Sequence, residues 1–101
     1  MTMKSIAAIL PEVLRQLRLD DAAAGWRAVA EWPALAGERI AKRTRAVGFR
    51  DGVLTIEVEG SAWMHELGYL RRELVRRANQ CVGANVVRDV RFVPARGGIQ
   101  R

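Results

Sequence analysis

The stretch TRAVGFRDGVLTIEVEG, residues 44–60, constrains the fold of this chain more than any other. Two runs of alternating apolar and polar residues flank Asp51-Gly52, a dipeptide suited to the positive φ angles of a two-residue type I′ turn. A turn there fixes an antiparallel hairpin and its register. Phe49 faces Leu54, Val47 faces Ile56, and Val58 extends the same apolar side. The other side carries Thr44, Ala46, Arg50, Thr55, Glu57 and Glu59, a solvated pattern in which Arg45 or Arg50 can serve as charge partner to the two glutamates.

The period is helical on both sides of the hairpin. Ile6, Ile9, Leu10, Val13, Leu14 and Leu17 recur at helical spacing, with Ser5 as a cap and Pro11 either kinking that helix or occupying its first turn. A second helical stretch follows from Asp20 or Asp21 as cap, with Trp26, Val29, Ala30 and Leu35 facing inward, and Pro33 and Gly37 break it into pieces. After the hairpin, Trp63, Leu67, Leu70, Leu74, Ala78 and Cys81 form one stripe of a long helix that starts at a Ser61 cap and ends at Gly83. NVVRDVRFV, residues 85–93, reads as a third strand with Val90 and Phe92 turned to the core. The order of helices, hairpin, helix and strand predicts a two-layer α+β domain, a small three-stranded sheet packed against helices. At 101 residues, half of them hydrophobic, the chain holds one such core, with the domain over residues 1–93 and a flexible basic tail over 94–101.

Several function classes lose ground on residue types alone. One His, one Cys and no glycine-rich phosphate loop leave little from which to build an enzyme or a metal site, so no cofactor, catalytic residue or small-molecule substrate is expected. His65 reads as an exposed helix residue and Cys81 as a buried small hydrophobe. Glu57 and Glu59 share a strand face without a further polar group to make them a catalytic pair. No apolar stretch approaches the roughly 20 residues of a membrane span. The N-terminus lacks the features of a secretory signal and the cysteine is alone, which fits a reducing cytoplasm.

Charge supplies the positive argument. Seventeen Lys and Arg against eleven Asp and Glu leave a net charge of +6, and the excess falls entirely within residues 41–101, with twelve basic and six acidic side chains. Arg71, Arg72, Arg76 and Arg77 lie on the long helix away from its apolar stripe, and Lys42, Arg43 and Arg45 precede the hairpin. Arg88, Arg91, Arg96 and Arg101 add charge on and beyond the last strand. Such clusters attract phosphate through counterion release, with salt-sensitive affinity and little sequence preference, on single- or double-stranded DNA. Trp26 and Trp63 belong to apolar helical stripes and read as structural. Trp32, before Pro33 at a helix break, either closes the core or offers an edge to a partner.

Trp32, Gly37, Ile40-Ala41, Thr44, then DGVLTIEVEGSAWMHEL, LRRELVRRAN and VVRDVRFV together resemble the bacterial DciA family over about residues 10–93. The combination of Ser61, Trp63 and Leu67 after a D-G-x-L hairpin is what gives the resemblance its specificity. It implies a fold similar to KH domains, although the G-x-x-G loop with which ordinary KH domains clamp a backbone is not visible in this sequence, so their groove is not expected. It also implies a non-catalytic, nucleoid-associated role in the cytoplasm, loading or operating the replicative helicase on DNA. Two other readings of the same charge stay open: a protein-interaction module without physiological nucleic acid, and an RNA-binding KH-like module.

Overall fold

The computed structural model describes residues 19–96, so the helix expected over Ile6–Leu17 and the last residues of the tail lie outside the described part. Helix α1 (Leu19–Ala30) leads into two short helices, α2 (Trp32–Ala36) and α3 (Glu38–Ala41). The hairpin β1 (Thr44–Arg50) and β2 (Val53–Val58) comes next, followed by α4 (Ser61–Tyr69), α5 (Arg71–Val82) and β3 (Asp89–Pro94). The strands form one sheet in the order β1-β2-β3, antiparallel between β1 and β2 and parallel between β2 and β3. The parallel pair is possible because α4 and α5 provide the crossover. The result is the expected α+β architecture, one small sheet with helices packed against it.

The local signals act much as the sequence reading requires. Asp51 and Gly52 take φ of 51° and 81°, which closes the hairpin turn. Pro33 sits in the first turn of α2, where its missing N–H costs nothing, and Gly37 at φ 91° separates α2 from α3. Gly83 ends α5 in the left-handed conformation, with its N–H bonded to the Asn79 carbonyl. Helix α1 is already formed at Leu19, which puts Asp20 and Asp21 inside its first turn rather than at a cap. The residue before α4 is Gly60, and Ser61 makes no side-chain cap bond.

The core lies between one face of the sheet and the helices: Leu54, Ile56, Val58 and Val90 meet Ala28, Trp32, Leu67, Leu74, Ala78 and Val82. Phe92 packs against its edge. Helix α1 reaches the sheet only because position 25 carries no side chain. A Cβ on Gly25 would lie against Cδ2 of the Phe49 ring, far inside van der Waals contact.

Four further expectations are corrected. The first is the phase of β1. Phe49 pairs with Leu54 as expected, but Ala46 pairs with Ile56 and Thr44 with Val58, because Val47 is an extra residue in a β-bulge. Beyond the bulge the alternation is reversed, so Thr44 is buried and Ala46 turns to the core while Val47 is 41% exposed. The second concerns the long helix, which is two. The chain leaves helical geometry at Leu70, φ −98° and ψ 4°, after Gly68, and the stripe does not continue straight.

The third correction is rotational. At about 100° per residue, the buried positions Leu74, Ala78 and Val82 drift toward Val75, and Cys81 lies on the opposite flank of the stripe. Cys81 and Leu70 are therefore exposed. The fourth is α1, where the inward face is set by Gly25 and Ala28, with Ala24 and Val29 at its margin. That rotation leaves Trp26 52% exposed and Ala30 outward.

Candidate nucleic-acid interface

Helix α5 supplies the site because its two faces differ so completely. Leu74, Ala78 and Val82 lock one side into the core, and Arg72, Arg76 and Gln80, four residues apart, project from the other. Arg72 and Arg76 line an open groove of about 500 Å³ that runs along Val75, Asn79 and Gln80 to the turn at Gly83 and Asn85. Asn79 builds the far end of this groove. Its Oδ1 accepts from the N–H groups of Val86 and Val87 at 3.0 and 2.8 Å, and its Nδ2 donates to the Val87 carbonyl at 2.9 Å. The segment after α5 is thereby fastened to the helix, and Asn85 is held at the groove rim.

The four helix arginines do not act as one set. Arg72 is exposed and makes no ion pair among the described residues. Arg76 donates from Nε and Nη2 to the two oxygens of Glu73 at 3.0 and 2.5 Å, yet its side chain is still 56% exposed. Arg77 donates to Glu73 at 3.3 Å and to the backbone carbonyl of Ala36 at 3.2 Å, so it ties α5 to the end of α2. Arg71, at the first turn, turns toward β3 and pairs with Asp89 at 3.3 Å, in a separate groove shared with Arg50 and Arg91. The hydrogen bond from Arg76 is the largest influence on Glu73. Despite an opposing desolvation, it and Arg77 hold the Glu73 carboxyl down at about 2. Arg76 is in turn held further above its already high ordinary value by Glu73.

The cluster before the hairpin is matched charge for charge. Lys42 pairs with Glu38 at 3.5 Å, Arg43 with Glu59 at 3.0 Å, and Arg45 Nη2 with Glu57 at 2.5 Å. The Arg45–Glu57 contact is the cross-strand pair expected from the hairpin, and the register puts the two residues directly opposite. Lys42, Arg43 and Arg45 are exposed, but each brings an acid of its own.

Trp32 is not an edge offered to a partner. It is 1% exposed, and its indole N–H donates to Thr44 Oγ1 at 2.9 Å. The bulge in β1 turns Thr44 inward to receive that bond, which is why a polar hydroxyl and an indole meet in the core. The exposed rings are Trp26 on α1 and Tyr69 at the end of α4. Tyr69 stands edge-on to His65, its hydroxyl 3.2 Å from Nε2. Trp63 is half-buried, with the Arg39 guanidinium 5.6 Å over its ring. Among the described residues no group of three or more His, Cys, Asp and Glu side chains is placed to hold a metal ion, and no helix is long and apolar enough to cross a membrane. Gln80 and Asn85 are the groove residues that reading by charge alone passes over. The four-residue step from Arg72 through Arg76 is the signal that leads to Gln80.

A small basic α+β domain with two faces to α5, one locked in the core and one lined by guanidinium and amide groups, has the form of a binding module. The sequence places it within one family: the DciA family, described as Dna[CI] antecedent, matches residues 5–92, and the chain belongs to it. Relatives include a UPF0232 protein of Mycobacterium tuberculosis H37Rv, 32% identical over 62 residues, which are 61% of this chain and 33% of that protein. A UPF0232 protein of Mycolicibacterium paratuberculosis is 35% identical over 75 residues, 67% of this chain and 41% of the relative. In Corynebacterium glutamicum the UPF0232 protein is 29% identical over 90 residues, 88% of this chain and 50% of the relative. The chain thus spans between a third and a half of the length of these curated relatives.

Proposed function

We propose that this chain is a non-enzymatic DNA-binding adaptor that works with the bacterial replicative helicase in the cytoplasm, at the nucleoid. The helicase half of this reading rests on membership of the DciA family. The DNA half is carried by one observation. Arg72 and Arg76 stand one turn apart on the solvent face of a helix whose other face is locked in the core. Two guanidiniums so held meet successive phosphates without first ordering the chain. Glu73 is the single acid on α5, and a phosphate that takes Arg76 from it leaves the carboxylate still paired with Arg77. Lys42, Arg43 and Arg45 add a long-range field, reduced by their paired acids.

Binding to DNA across a salt series tests the reading. Arg72→Gln with Arg76→Gln is expected to lower affinity and flatten the salt slope by about 2. An unchanged slope removes these residues from the site. Affinity capture from the native cell, with and without nuclease, tests the helicase half. Recovery of helicase only in untreated lysate means that DNA bridges the two. Recovery after nuclease, with negligible DNA binding near physiological salt, transfers the function to protein contact alone.

A further inference from the structure

We infer that α5 enters the major groove of duplex DNA and contacts base edges as well as phosphates. This rests on the DNA-binding reading above and goes beyond it, because electrostatic attraction alone specifies neither a duplex nor a base.

The outward residues of α5 are of two chemical kinds in a set order. Arg72 and Arg76 are followed, one turn further on, by the exposed amide of Gln80. With the two guanidiniums on phosphates, the glutamine amide is left to read the adenine N6 and N7 on the major-groove edge. From Arg72 to Gln80 is eight residues, about 12 Å along the axis, which matches about three to four base pairs. The B-form major groove, about 12 Å wide, admits a helix of this diameter. Asn85 supplies a second amide at the same end, and the Asn79 bonds to Val86 and Val87 hold the turn that carries it. The helix backbone needs no rearrangement, since Leu74 and Ala78 are fully buried beneath the stripe, and only the Arg76 side chain has to leave Glu73.

A single strand would call for different chemistry on this face. Unpaired bases gain affinity by stacking on aromatic rings, and none lines the α5 groove. The exposed rings, Trp26 and Tyr69, belong to α1 and α4.

The test compares the full chain on short DNA and RNA duplexes of the same sequence and on the separated DNA strands, at matched salt. A-form RNA presents the same phosphates but a major groove too narrow for a helix. DNA duplex is expected to bind about tenfold more tightly than the RNA duplex, the discrimination of one good base contact. In the same assay Gln80→Ala, at an exposed position, is expected to reduce the spread of affinities among DNA sequences and leave the salt slope unchanged. Equal binding to DNA and RNA duplexes, tighter binding to single strands, or an unchanged spread in the Gln80 variant each overturns the major-groove inference while DNA binding itself stands. Absence of binding to every nucleic acid overturns both.

Discussion

The indole N–H of Trp32 donates to the hydroxyl oxygen of Thr44 across 2.9 Å inside the core, and that hydroxyl donates in turn to the Ile40 carbonyl at 2.8 Å. The two bonds join α2, α3 and the first residue of β1, the segments that set where the sheet begins. Thr44→Val keeps the shape and leaves the buried indole N–H without its acceptor, while the Ile40 carbonyl keeps the Arg43 N–H. A loss of about 1–3 kcal/mol in denaturant unfolding is expected. Adding Trp32→Phe removes the stranded donor, so the double variant should lose less than the sum of the single ones. Additive losses would mean that the bond contributes nothing.

Gly25 carries the approach of α1 to the sheet. Alanine there is favourable to an isolated helix by roughly 1 kcal/mol, yet its methyl would occupy the space of the Phe49 ring. Gly25→Ala is expected to destabilise by about 1–3 kcal/mol, and Phe49→Leu in the same chain to recover part of it. Thermal melting of the parent and the two variants gives the sign.

Arg72 and Arg77 should separate binding from stability. Arg72→Gln is expected to change unfolding by less than about 0.5 kcal/mol while weakening DNA binding. Arg77→Gln removes the tie to Ala36 and should cost about 1 kcal/mol of stability. If the two variants behave alike in melting, Arg77 is not a structural tie.

Glu73 provides the pH dependence. Its folded-state value, about 2, lies below the ordinary 4.5, so the pairing stabilises the fold fully above about pH 4.5 and is lost as the pH falls toward 2. A carboxyl titration followed by NMR should place the midpoint near 2, and Arg76→Gln should move it up. At neutral pH, Glu73→Gln releases Arg76 and is expected to strengthen DNA binding.

Trp26 makes the opposite kind of prediction from Trp32. Trp26→Ser should leave unfolding within about 0.5 kcal/mol of the parent, because the indole is 52% exposed. Stability loss comparable to a core substitution would show that this ring is covered in solution.

The hairpin, the helix breaks at Pro33 and Gly37, the stop at Gly83 and the inward Val90 were legible because each depends on a few neighbouring residues. What was not legible depends on distant partners. Nothing local in TRAVGFR announces that Val47 is extra. The reason lies with Trp32 and Ile40, which require Thr44 inside. Trp26 and Cys81 sit at helical spacing with apolar neighbours, but the rotation of each helix is set by what it meets, Phe49 for α1 and the sheet for α5. For the candidate interface, spacing was enough to put Arg72 and Arg76 outside. It could not tell that Arg77 would find the Ala36 carbonyl or that Arg71 would turn to Asp89.

The bulge leaves β1 with one residue to spare. Taking Val47 out would restore an uninterrupted ladder in which Phe49, Ala46 and Thr44 still point inward and Arg45 still points out. Chain length and inward pattern are thus uncoupled at this one place in the hairpin, and a residue can be lost there without any core group changing sides.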